Sequence, residues 1–168
     1  MAPTLTLIAN FIIALILHEF GHWIAARICR VPITAVGLGW GPALLRTRLV
    51  NTDCQLGILP FGAFVRMDMD VFRRRSVNQQ LLVLTAGVGV NLLLAILTWG
   101  SLFSILNLGL AIGNSLPLYQ QDGWKSCIVL CRRVLGRTSP VVEWTITLTG
   151  GVIALAVVAR ALMVMAKG

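Results

Sequence analysis

Acidic charge and histidine are what this chain holds least of: six Asp and Glu stand against 14 Lys and Arg in 168 residues, and there are two histidines. Only 12% of the residues are charged while 57% are hydrophobic, and the mean hydropathy is +0.86. That is too little polar surface to cover a soluble globule, so the composition points to an integral membrane protein in contact with the lipid bilayer. A formal charge of +8 could suit nucleic acid. The basic residues, however, are not clustered with aromatics on a polar module; they lie between hydrophobic runs, as orientation signals do, and no nucleic-acid partner is expected. Basic residues are absent before Arg27, and no small-residue cleavage site is placed so as to spare the two histidines, so the first apolar run reads as an uncleaved span. Four cysteines, Cys29, Cys54, Cys127 and Cys131, are even in number, but the chain lacks the small, secreted, loop-rich character of a disulfide scaffold, and free thiols are expected.

Both histidines fall in one stretch, His18-Glu19-Phe20-Gly21-His22, inside an apolar run from Leu5 to Cys29. A bilayer crossing takes about 20 helical residues, so the run is long enough to span. On a helix, positions i and i+4 share a face with Cβ atoms about 5–6 Å apart, which lets two imidazoles converge on one zinc ion. His18 and His22 are that pair. Glu19 is turned about 100° away from His18, in the position of a general base rather than a ligand, which is the physical content of the H-E-x-x-H pattern. A buried polar cluster that only glues helices together is the alternative. Against it, an ionisable group at mid-span costs about 2.5–3.5 kcal/mol on insertion scales, a cost that functional sites characteristically carry.

The fold expected is mostly α and polytopic, a single membrane domain over 1–168 with about four spans at 5–29, 81–102, 108–131 and 141–164. Between the first two, residues 33–66 are rich in glycine, carry turn signals at Gly39-Trp40-Gly41-Pro42 and Asn51-Thr52-Asp53, and alternate apolar with polar from Leu45 to Leu49. Two to four short strands lying against the membrane are expected there. Arg73, Arg74 and Arg75 read as a solvated cluster near anionic lipid. The uncharged stretch from Leu81 is too long for one span, and the turn that divides it is placed between Gly100 and Gly109. Basic residues in the first connection and at Arg132, Arg133 and Arg137 put both connections in the cytosol and both termini outside. Arg160 and Lys167 run against this count and are outnumbered.

A catalytic zinc usually has three protein ligands and one open position, and no histidine remains for the third. Asp122 reaches the same depth as the two histidines in a span of the same direction, whereas Glu143 begins the fourth span and Asp53, Asp68 and Asp70 lie in the first connection. Asn114 and Pro117 interrupt the span just before Asp122, and broken helices at membrane depth are tolerated where they line a wet cavity or are buried in protein. Asn114 could equally cap the helix after the break, and Asp122-Gly123 could be an ordinary turn.

These residues resemble the site-2 protease family of intramembrane zinc metalloproteases. His18-Glu19-Phe20-Gly21-His22 is similar to its zinc helix, Gly87 to Asn91 to its G-x-x-x-N, and Asn114-Ser115-Leu116-Pro117 followed by Asp122-Gly123 to its N-x-x-P-x-x-x-x-D-G element. Phe61 to Met67 is similar to the end of its membrane-associated β segment. Val88 and Gln121 depart from the usual Pro and Leu. The resemblance implies that His18, His22 and Asp122 bind zinc and that Glu19 activates water. It also implies that Asn91 and Asn114 hold substrate backbone or the developing oxyanion, although Asn91 serves equally well as a helix-packing group. It implies hydrolysis of a peptide bond in or near the transmembrane segment of a single-span membrane protein; the basic-residue count puts the site towards the cytosol, and a minimal form is expected because no segment is long and polar enough for a PDZ or other regulatory domain. The rival is a non-catalytic metal-binding scaffold or pseudoprotease that holds a partner's transmembrane helix. The sequence sets neither the substrate nor the oligomeric state.

Overall fold

The computed structural model describes residues 2–136 and 140–165. Arg137, Lys167 and the side chain of Arg160, all weighed in the orientation count, lie outside the description. The chain divides into two compact units, Met1–Ile112 and Gly113–Gly168. In the first, helix α1 (Ala2–Ile28) leads to strands β1 (Ile33–Leu49) and β2 (Thr52–Met67), a short α2 (Met69–Arg73), α3 (Val77–Leu97) and most of α4 (Leu102–Ser115). The second holds the end of α4, α5 (Asp122–Leu135) and α6 (Pro140–Met165).

Helix α1 buries a narrow stripe at helical spacing, Ala14, His18, His22, Ala25 and Ala26, while Ile13, Ile16, Phe20 and Ile24 on the other sides stay exposed. An apolar helix exposed on most of its surface is stable only where its surroundings are apolar too. Residues Thr4–Ile28 and Val77–Leu97 are long and apolar enough to cross a membrane, and only 17% and 33% of an 18-residue apolar window in each is buried. The core helix of a soluble protein would be mostly covered, so both helices are consistent with membrane integration. Helix α1 stops where Arg30 takes φ 54° and Pro32 follows.

Helix α3 begins with a capping box in which Ser76 and Gln79 satisfy each other's backbone N–H groups. Its buried stripe, Val83, Gly87, Asn91 and Ala95, repeats every four residues and packs on α1. Gly21 makes the approach close: a Cβ there would stand 2.8 Å from both Ala86 O and Val90 Cγ2. The chain reverses at Thr98–Ser101, at the near edge of the expected region. Gly100 takes φ 82°, and the Ser101 hydroxyl accepts from Ser104 N at 3.1 Å, starting α4 at once.

The β segment is two long strands rather than several short ones, and each folds back on itself. β1 and β2 pair antiparallel, Leu49 opposite Thr52 at the hairpin and Ile33 opposite Met67 at the far end. Residues 35–38 also have partners on a second side, Ala35 opposite Asp53 through Leu38 opposite Leu56, so the numbering rises together there and the sheet is mixed. Segment 35–38 is therefore interior, and 43–49 and 63–67 are the edges. Corners at Gly39 (φ 86°), Gly41 (φ 88°) and Gly62 (φ 95°) permit the folding. The segment leaves and returns at one neck, where Asp68 N donates to Pro32 O at 2.9 Å and the Arg75 guanidinium donates to Arg30 O. Arg75 thus ties two connections together, whereas Arg73 and Arg74 are solvated as expected.

In the second unit the interruption expected before Asp122 separates α4 from α5, and Gln120 takes φ 69° within it. Gly123 allows the start of α5 to lie against the end of α4, since a Cβ there would come within 2.2 Å of Ser115 O.

Candidate metal centre

His18, His22 and Asp122, the three residues expected to bind metal, are all buried. The two histidines belong to the first unit, one turn apart on the buried stripe of α1. Their Nε2 atoms are 3.1 Å apart. Two nitrogens bound to a tetrahedral zinc at about 2.0–2.1 Å stand about 3.3 Å from each other, so the pair suits one shared ion.

Helix α3 supplies the opposite wall through three residues spaced by four. Val83 O lies 2.7 Å from His22 Nδ1. A carbonyl can only accept, so Nδ1 carries the proton and Nε2 keeps the lone pair a metal requires. Gly87 comes next: a Cβ there would fall 2.5 Å from His22 Nε2 and 2.6 Å from His18 Nε2. The missing side chain leaves open the space onto which both nitrogens converge. Asn91, fully buried, sets its amide nitrogen 3.1 Å from His18 Nδ1. The ring positions and the space between them therefore fit a zinc ion.

Glu19 is half-buried on a different side of α1. It lines a cavity of about 480 Å³ that α1 forms with the sheet, together with Phe20, Trp23, Gly37, Gln55 and Phe64. Phe20 and Trp23 stack with centroids 5.5 Å apart, and the Arg27 guanidinium lies over the Trp23 ring. The cavity is mostly apolar with one carboxylate in its lining, a setting for an apolar peptide beside an acid–base group.

In the second unit Asp122 is the first residue of α5. Its Oδ1 accepts from Lys125 Nζ at 3.1 Å, and the lysine is partly exposed. Asn114 is half-buried in the last turn of α4. All four cysteines are free thiols, as expected, and only Cys29 among them is buried. Sequence reasoning missed Gly21, the Val83 carbonyl and the reason for Gly87. A signal for the glycine was present, since glycine inside a helical apolar run costs about 1 kcal/mol and so asks for a cause.

Comparison with known proteins gives the site its relatives. The sequence profile of Peptidase family M50 matches residues 6–105, a stretch that contains His18, Glu19, His22, Gly87 and Asn91 and stops short of Asn114 and Asp122. The chain is 30% identical over 109 residues to a candidate zinc metalloprotease of Chlamydia trachomatis, covering 53% of this chain and 18% of that protein. It is 28% identical over 151 residues to one of Chlamydia pneumoniae, covering 78% and 22%. It is 31% identical over 115 residues to the regulator of sigma-E protease RseP of Escherichia coli K12, covering 58% and 26%. The chain thus spans about a quarter or less of the length of these relatives.

Proposed function

The chain belongs to peptidase family M50, the site-2 protease family, and from that premise we propose that it is a zinc-dependent endopeptidase acting on a peptide bond in or near the transmembrane segment of a single-span membrane protein. The observation that carries the reading is the convergence of His18 Nε2 and His22 Nε2 on space kept open by Gly87. Asp122 is the proposed third ligand. It is a carboxylate at the start of a helix behind a chain break, and with it the donor set becomes the two-histidine, one-carboxylate type that leaves a position open. When bound, zinc supplies Lewis-acid polarisation of the scissile carbonyl and makes water acidic near neutral pH.

The chain's own groups do the rest. Glu19, on the next position of the same helix, takes a proton from the attacking water and hands it to the leaving amine. Asn114, in the last turn of α4 before the break, is assigned to substrate backbone; Asn91 is already engaged with His18. The cavity beside Glu19 receives apolar side chains, and the free edges of the sheet at 43–49 and 63–67 offer backbone partners to an extended segment. A helical substrate keeps its carbonyls in internal hydrogen bonds, so strand addition unwinds it as it binds. About four spans, termini outside and a site towards the cytosol complete the proposal.

Glu19→Gln tests it. The amide keeps size and hydrogen bonding but cannot take the proton, so zinc content and substrate crosslinking should persist while cleavage of single-span peptides falls by about 10²–10⁴-fold. Cleavage at the wild-type rate would remove Glu19 from the mechanism. A wild type that holds zinc and binds such peptides, yet cleaves none, would favour the scaffold.

A further inference from the structure

We propose that Asn91 is a positioning residue for the metal centre, one that sets the tautomer of His18 by presenting its side-chain oxygen to His18 Nδ1. The inference rests on the zinc reading above and replaces the substrate-contact role that the sequence resemblance implies for this residue. Asn91 is fully buried, and its amide lies against Nδ1 of His18, on the far side of that ring from Nε2.

With the amide nitrogen at that contact, as the structure places it, Nδ1 accepts a hydrogen bond from Asn91 Nδ2–H and the proton of neutral His18 sits on Nε2. A run of donors then extends in one direction: Asn91 Nδ2 to His18 Nδ1, His18 Nε2 to His22 Nε2 at 3.1 Å, and His22 Nδ1 to Val83 O at 2.7 Å. In this arrangement Asn91 Oδ1 is buried and makes no hydrogen bond among the described residues. His18 has no lone pair on Nε2, so it cannot ligate.

Turning the amide over exchanges its two nearly isosteric ends. Oδ1 then accepts from Nδ1–H, the proton has moved off Nε2, and both Nε2 lone pairs point into the space at Gly87. Val83 O does this for His22 with a backbone carbonyl that cannot turn over, whereas Asn91 does it for His18 with an amide that can. The two ligands are thus oriented from one face of α3, one turn to either side of Gly87. Acceptors behind metal-bound imidazoles are typically worth about 10–100-fold in metal affinity.

The test compares Asn91→Leu, which has similar volume and no acceptor, with Asn91→Asp, which can only accept. Zinc affinity is measured by chelator competition on the purified full chain, and the thermal midpoint of the metal-free protein is followed alongside. The leucine variant should bind zinc about 10–100-fold more weakly, and the aspartate variant should stay within severalfold of wild type. Equal affinity for wild type and leucine, or equal losses in both variants, would overturn the proposal. A second measurement covers a leucine variant that fails to fold: in zinc-loaded wild type labelled with 15N-histidine, His18 should show a protonated Nδ1, and a protonated Nε2 would overturn the assignment. Wild type that binds no zinc at all would instead remove the reading on which this inference stands.

Discussion

At the scale of single residues, the metal centre depends as much on what Gly87 lacks as on what the histidines carry. Alanine is the better helix former by about 0.8–1.0 kcal/mol, so Gly87→Ala should leave the α3 backbone intact. Its methyl group nevertheless lands within 2.6 Å of both Nε2 atoms. Metal analysis of the purified variant should find stoichiometric zinc lost, with helix content by circular dichroism unchanged; full zinc occupancy would move the ion away from these nitrogens. His22→Ala should lose zinc for the simpler reason that a ligand is gone. The histidines and Glu19 were legible in the sequence because helical spacing alone puts the two rings on one face. Gly87 and Val83 were not, because what they do depends on which face of α3 meets α1. No periodicity reports that when a helix is apolar on every side.

At the scale of elements, α1 packs directly on α3, and Gly21 permits their close approach. Gly21→Val places methyl groups where Ala86 O and Val90 Cγ2 already lie 2.8 Å from the Cβ position. Such overpacking costs about 1–3 kcal/mol. It should lower the thermal midpoint and, by drawing Val83 O away from His22, weaken zinc binding as well; unchanged zinc affinity would show that the helix contact does not govern the site. The β segment was legible as strand and turn but not as a doubled sheet. The glycines at 39, 41 and 62 announce corners, yet pairing of 35–38 with partners on both sides joins residues up to 31 positions apart, from Ala35 to Arg66. The break before Asp122 was readable from Asn114 and Pro117. The left-handed turn at Gln120 was not, since a non-glycine residue gives no local hint of positive φ.

At the scale of the whole molecule, orientation in the membrane is open to a direct test. With the native cysteines replaced, Arg48→Cys at the exposed hairpin should react with an impermeant thiol reagent only from the cytosolic side, and Thr4→Cys only from the opposite side. The reverse pattern would overturn the orientation, while the matching depth expected of Asp122 and the histidines would survive it, because both spans would be turned over together. The neck of the β segment, where Asp68 N meets Pro32 O and Arg75 reaches Arg30 O, has a different consequence. A loop whose ends already touch can be exchanged without moving what it is attached to. Residues 33–67 should therefore behave as a cassette: grafting in the corresponding segment of a relative should change which peptides are cut while zinc affinity stays within severalfold. Loss of zinc in such a chimera would mean that the sheet supports the metal. If the graft is neutral for metal, selectivity and chemistry can diverge separately during evolution, one by replacing a loop and the other by holding two helices still.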